Sequence, residues 1–126
     1  MKPTLKMMIV DDSNIIRSKI KRAQASTRFD VVAVATNGAE AVDLFTQYQP
    51  DVVTMDLTMP QMDGINCIEK LVEINPDLSI LVVSALSDEA TGIEALEKGA
   101  SGFLLKPFSE ENLREALEEL TDHLHV

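Results

Sequence analysis

Asp11, Asp12, Asp56, Ser84 and Lys106 each stand where a short apolar run gives way to polar sequence. Met7-Met8-Ile9-Val10 leads into Asp11-Asp12, and Val52-Val53-Thr54-Met55 leads into Asp56. Ile80-Leu81-Val82-Val83 ends in Ser84, and Phe103-Leu104-Leu105 ends in Lys106. In a parallel α/β sheet all strands point the same way, so residues at these run ends gather along one edge, where open α/β folds place their ligands. Three carboxylates brought together repel one another unless a proton or a cation intervenes. Mg²⁺ suits such a cluster, because it takes one or two carboxylates, a carbonyl oxygen and several waters. Helix capping accounts for Asp12 or Ser13, but for neither Asp56 nor Lys106. A lysine at that edge balances the acids and can bind a phosphoryl oxygen as a mobile point charge. The proline after it sets the turn and permits a cis bond, which costs only ~0.5–1 kcal/mol over trans.

Five alternations of short β-rich runs and amphipathic stretches supply the frame. The pattern predicts strands near 5–11, 30–35, 51–56, 79–84 and 102–106. Between them, Ile16, Ile20 and Ala23 share one helical face, as do Ala41, Leu44, Phe45 and Tyr48. Ile65, Ile68 and Val72 form a third face, and Ala90, Ile93 and Leu96 a weaker fourth. Leu113, Ala116, Leu117, Leu120 and Leu124 mark the last helix. Ser87 and Ser109 are candidate N-caps, and Gly99 is a candidate helix-ending glycine. Pro50 and Pro76 punctuate the approaches to the third and fourth strands. Strands alternating with helices imply right-handed crossovers and a parallel sheet covered on both faces.

Composition narrows the function. The 126 residues suit one domain, taken as 1–126, and carry a net charge of −10. That charge argues against direct binding of nucleic acid or anionic membrane, which needs a basic surface. Arg17, Lys19, Lys21 and Arg22 do cluster, and are read as a solvated helix face. Cys67 is the only cysteine, so an internal disulfide is impossible, and its apolar setting points to a buried structural thiol. No apolar run approaches the ~20 residues of a membrane span, and no signal-peptide pattern is present. The expected location is the cytoplasm.

Taken together, Asp11-Asp12, Met55-Asp56-Leu57-Thr58-Met59-Pro60-Gln61-Met62-Asp63-Gly64, Ser84-Ala85 and the run Gly99 to Phe108 through Lys106-Pro107 resemble a CheY-like receiver domain of two-component signalling. The resemblance spans nearly the whole chain. It implies a (βα)5 doubly wound fold, with five parallel strands in the order 2-1-3-4-5. It implies that Asp56 accepts a phosphoryl group, Asp12 ligates Mg²⁺ directly, and Asp11 ligates it mostly through water. Mn²⁺ could substitute. Thr58 would lend a backbone carbonyl to the metal, Ser84 and Lys106 would bind phosphoryl oxygens, and Phe103 would report phosphorylation by its position. Met59-Pro60 and Asp63-Gly64 would shape the loop after the third strand.

The implied partners are a histidine kinase or histidine phosphotransfer protein upstream and a protein target downstream. Output is expected at the face made by the fourth helix, fifth strand and fifth helix. Two positions depart from the chemotaxis-type pattern: Thr58 replaces Asn, and Leu86, two after Ser84, replaces an acid. Both flank the path of hydrolytic water, so phosphate lifetime does not carry over. No Asp-Asp pair precedes Phe103, which favours a monomer over the dimers of DNA-binding regulators. His123 and His125 read as an exposed tail, not as phosphohistidine donors.

The expected role is signalling, not turnover catalysis. A Mg²⁺-dependent phosphatase of the haloacid dehalogenase type is one alternative, but it needs Asp-x-Asp after the first strand, and here Asp56-Leu57-Thr58 follows the third. A flavodoxin-like cofactor binder is another, but the first strand here ends in carboxylates. A phosphorelay intermediate is a third.

Overall fold

In the computed structural model, residues 4–23, 29–57, 64–85 and 89–122 are described. Their elements alternate: β1 (Leu5–Val10), α1 (Asn14–Ala23), β2 (Phe29–Ala35), α2 (Gly38–Tyr48), β3 (Val52–Met55), α3 (Gly64–Ile74), β4 (Ser79–Ser84), α4 (Glu89–Glu97), β5 (Gly102–Leu105) and α5 (Glu110–Leu120). The strands form one parallel sheet in the order β2-β1-β3-β4-β5. The expected fold is therefore the observed one. The order reverses between β1 and β3, because the chain leaves β1 toward β2 and returns on its other side. That switch point is where a crevice opens at the carboxyl edge.

β3 and β4 are buried along their whole length, as strands covered on both faces must be. Residues of β1 alternate between two cores. Met8 and Val10 join Val53, Met55, Phe45, Ile68 and Leu71 beneath α2, α3 and α4. Met7 and Ile9 join Val52, Val83, Ile20, Leu113 and Leu117 beneath α1 and α5. Each such side chain contributes about 1.5–3 kcal/mol of burial. A register shift between β1 and β2 falls at Met7 and Met8.

Caps set the helix ends. Asn37 accepts from the Glu40 N–H at 2.8 Å, and Glu40 Oε1 accepts from the Thr36 N–H, starting α2. Ser109 starts α5 as expected, with Asn112 closing a reciprocal capping box. Gly99 ends α4 at φ +123°, the left-handed conformation a glycine adopts without penalty. A Cβ there would also lie 2.6 Å from Val72 Cγ2. Ser87, Leu124, His123 and His125 lie outside the described residues.

Two helical faces differ from expectation. On α4, Ile93 and Leu96 are each 49% exposed and Ala90 is exposed too, while Ala95 is buried and Gly92 lies against the Phe103 ring. The small residues let the helix approach the sheet, which turns the larger side chains outward. Tyr48, at the last turn of α2, is 40% exposed, although Ala41 and Phe45 of the same face are buried. Cys67 is fully buried, with its thiol near the Gly38 carbonyl, as a structural thiol should be. Among the described residues, no helix is long and apolar enough to cross a membrane.

Candidate functional site

Backbone pairing continues one residue past the strands, and that is what holds the site. The Asp56 N–H donates to the Val10 carbonyl at 2.9 Å, and the Asp11 N–H to the Ala35 carbonyl at 3.1 Å. The Lys106 N–H donates to the Ser84 carbonyl at 2.9 Å. Asp56 and Lys106, expected as the last residues of their strands, are the first beyond them, whereas Ser84 is the last residue of β4. Asp56 and Lys106 therefore belong to loops whose first hydrogen bond is a sheet bond.

Asp11, Asp12 and Asp56 each offer an oxygen within 4.8 Å of the others' oxygens. Asp11 and Asp56 are buried, while Asp12 is exposed at the mouth. Asp11 is engaged on both sides: Oδ1 accepts from the Ser13 N–H at 2.8 Å, and Oδ2 accepts from Lys106 Nζ at 2.8 Å. The same ammonium lies 3.9 Å from Asp56 Oδ1. Ser13 Oγ accepts from the Ile16 N–H at 3.3 Å, so Ser13 takes the capping duty. The Lys106-Pro107 bond is cis, the isomer the sequence permits. An all-oxygen set of three carboxylates around one ammonium has the donor chemistry a hard divalent cation prefers.

Residues 7–118 match the family model for the response regulator receiver domain. The chain belongs to that family. Among curated proteins the receiver domain is similar to the chemotaxis protein CheY of Listeria monocytogenes, 39% identical over 91% of this chain and 97% of that protein. It is similar also to CheY of Thermotoga maritima, 40% identical over 92% of this chain and 97% of that protein. Among solved structures it resembles the CheX-CheY-BeF3-Mg²⁺ complex of Borrelia burgdorferi, with a TM-score of 0.89 and 30% identity, over 92% of this chain and 88% of that one. Family membership makes this a domain of two-component signalling and leaves the phosphatase and flavodoxin alternatives unsupported.

The receiver fold thus brings Asp11, Asp12, Asp56 and Lys106 together and sets Ser84 on the neighbouring strand. Ser84 is fully buried. Phe103 lies inside β5, half-buried against the core beneath α3 and α4. Thr58, Met59, Pro60, Asp63 and Leu86 lie outside the described residues.

Three contacts escaped the sequence. Gly64 opens α3 so close to Asp56 that an added Cβ would overlap the Asp56 carbonyl oxygen and stand 2.6 Å from Leu57 Cα. Arg17 and Lys19, read as solvated, differ from Lys21 and Arg22, which are exposed as expected. Arg17 is half-buried, and its Nη1 donates to the Asp11 carbonyl at 2.8 Å. The signal for Arg17 was its place one turn beyond Ser13, since helical side chains lean toward the N-terminus. Lys19 reaches the Phe108 carbonyl, far along the chain. Away from the site, Lys98, the first residue after α4, pairs with Glu69 of α3 at 3.1 Å, and that hydrogen bond raises the Lys98 pKa. Both groups are exposed, so the pair tethers α4 only weakly.

Proposed function

We propose that this receiver accepts a phosphoryl group on Asp56 from the phosphohistidine of a histidine kinase or histidine phosphotransfer protein, and signals through a protein target. The observation that carries this reading is the placement of one ammonium, Lys106 Nζ, 2.8 Å from Asp11 and 3.9 Å from Asp56, amid three converging carboxylates. Asp12 and Asp56, with the Thr58 carbonyl, would hold Mg²⁺ directly, and Asp11 through water. Mg²⁺ bound there would screen the repulsion between an anionic donor and the acceptor carboxylate. The Borrelia CheY is found in a complex that contains Mg²⁺, which supports that choice of ion.

The transfer itself is substitution at phosphorus. An Asp56 carboxylate oxygen forms the new P–O bond as the P–N bond of the phosphohistidine breaks. The bonding pair passes to the imidazole nitrogen, which takes a proton from solvent. Little covalent work falls to the protein, so positioning and charge stabilisation dominate. Lys106 supplies charge beside the incoming oxygens. The Ser84 hydroxyl, one strand away, donates to the phosphoryl group once it is in place.

Signalling follows from what those two residues are joined to. Ser84 ends β4, its carbonyl holds the Lys106 N–H, and β5 carries Phe103 against α4 at Gly92. A shift at Ser84 therefore reaches α4 and β5 first, a local charge event biasing a packed element. The Borrelia CheY is found in a complex with CheX, which supports a protein as a partner here. The receiver acts as a monomer in the cytoplasm and is a signalling component, not a turnover enzyme.

Incubation with acetyl phosphate and Mg²⁺ tests the reading. Intact-mass measurement should show one added phosphoryl group per chain, and peptide mapping should place it on Asp56. Asp56→Asn should fold and stay unlabelled. A label on Asp11 or Asp12 in the parent protein would overturn the assignment.

A further inference from the structure

Four cations stand within six residues of α1, and two of them reach across to the loops that build the site. Arg17 Nη1 donates to the Asp11 carbonyl at 2.8 Å, and its Nη2 lies 3.3 Å from Asn14 Oδ1. Lys19 Nζ donates to the Phe108 carbonyl and stands 4.7 Å from the centroid of the Phe108 ring. The two carbonyls belong to the two loops that carry the ends of the 2.8 Å ion pair. The loop after β1 presents Asp11, and the turn after β5 presents Lys106, two residues before Phe108.

We infer that Lys19 is a positioning residue for Lys106, holding the turn after β5 so that the ammonium stays between Asp11 and Asp56. For its kinetic consequence this rests on Asp56 being the phosphoacceptor. A lysine side chain is long and flexible, so where its ammonium sits depends on where its backbone is held. On the strand side, the Lys106 N–H is fixed to Ser84. On the other side, the next fixed point is Phe108, whose ring is buried beside Leu113 and Leu117 and whose carbonyl is taken by Lys19. Hydrogen bonds from an ionised donor are roughly twice as strong as neutral ones. The ring beneath the ammonium adds a cation–π attraction to the same residue. Arg17 does for the Asp11 backbone what Lys19 does for that of Phe108. One rigid helix thus gauges the separation of the two loops.

An ordinary role in docking α1 onto α5 is the competing explanation, and Arg22 separates the two. Arg22 Nε pairs with Glu110 Oε1 at 3.4 Å, joining the same two helices through side chains alone. The experiment compares Lys19→Met, Lys19→Arg and Arg22→Gln with the parent protein. Lys19→Met keeps an apolar stem over the Phe108 ring but removes the donor and the charge, whereas Lys19→Arg keeps both. The first readout is the ¹⁵N–¹H signal of the Lys106 ammonium by NMR without Mg²⁺. The second is the rate of labelling by acetyl phosphate under saturating Mg²⁺, far below the melting temperature.

The Lys106 signal should shift or vanish in Lys19→Met and persist in Lys19→Arg and Arg22→Gln. Labelling should slow by roughly tenfold in Lys19→Met alone, short of the hundredfold that a 1 Å misplacement can cost. Should Lys19→Met fail to fold, Lys19→Gln, a shorter neutral donor, should show the same shift and slowing. A parent-like Lys106 signal in folded Lys19→Met or Lys19→Gln overturns the inference, as does equal loss in Arg22→Gln. The NMR readout needs no phosphorylation. If the parent takes no label while the signal still moves only on loss of the Lys19 charge, the phosphoacceptor reading fails and the positioning role stands.

Discussion

Lys106 Nζ sits 2.8 Å from Asp11 Oδ2, at the end of a side chain only 16% exposed, so the ammonium in the acid cluster is committed to the carboxylate that is also engaged by the Ser13 N–H. Asp11 is therefore the charge-balanced member of the cluster. Asp12 is exposed at the mouth, and Asp56 lies 3.9 Å from the same ammonium.

Mg²⁺ should stabilise the folded protein, because it would bind the assembled carboxylates and not the unfolded chain. At a hundredfold excess over the dissociation constant, linkage gives about 2.7 kcal/mol. Asp12→Asn should raise the melting temperature in metal-free buffer by relieving repulsion, and should shrink the rise on adding Mg²⁺. Thermal melts of both proteins across a Mg²⁺ titration check this. An undiminished Mg²⁺ response in Asp12→Asn would remove Asp12 from the ligand set.

Replacing Lys106 by Met should have opposite effects on metal and on phosphoryl transfer. The ammonium repels a cation held by the neighbouring carboxylates, and at an effective dielectric near 20 unit charges 4 Å apart interact by about 4 kcal/mol before screening. Its loss should tighten Mg²⁺ binding severalfold while slowing labelling of Asp56 by acetyl phosphate. Calorimetric titration and a labelling time course measure the two. Weaker Mg²⁺ binding in Lys106→Met would show that the lysine organises the acids more than it opposes the cation.

Gly64→Ala sets two magnitudes against each other. Alanine is the better helix former by about 1 kcal/mol. Its Cβ would collide with backbone atoms of Asp56 and Leu57, which cannot swing aside as a side-chain tip can. Overpacking costs about 1–3 kcal/mol, so the net change should be destabilising, and labelling at Asp56 should slow as well. Urea denaturation at constant m-value provides the number. A stabilised variant would mean that the start of α3 can move away from Asp56.

Hydrogen exchange with and without beryllofluoride, a tetrahedral stand-in for a phosphoryl group, should localise the response. Protection should change around Ser84 and along α4 and β5, where Phe103 meets Gly92, and little along β2 and α2. Coupling between such a site and a partner face is typically about 1–3 kcal/mol. A response confined to β2 and α2 would exclude the face formed by α4, β5 and α5.

The sequence by itself determined the architecture and the composition of the site. Buried parallel strands must be continuously apolar, and the residue where such a run ends must lie at the sheet edge, so Asp11, Asp56, Ser84 and Lys106 were legible as neighbours from pattern alone. Ser109 and Gly99 were legible too, because a cap and a left-handed helix end each demand a narrow set of residue types. Only the tertiary structure decided how charge is shared among those neighbours. Which carboxylate takes the ammonium depends on small differences in distance between loops, which no local pattern encodes. The structure also decided that α4 turns Ile93 and Leu96 outward, since small residues at Gly92 and Ala95 reverse the face that hydrophobicity alone selects. Lys19 was legible only as a charge on a helix. Its carbonyl partner is 89 residues away, and that pairing exists only once the chain has folded.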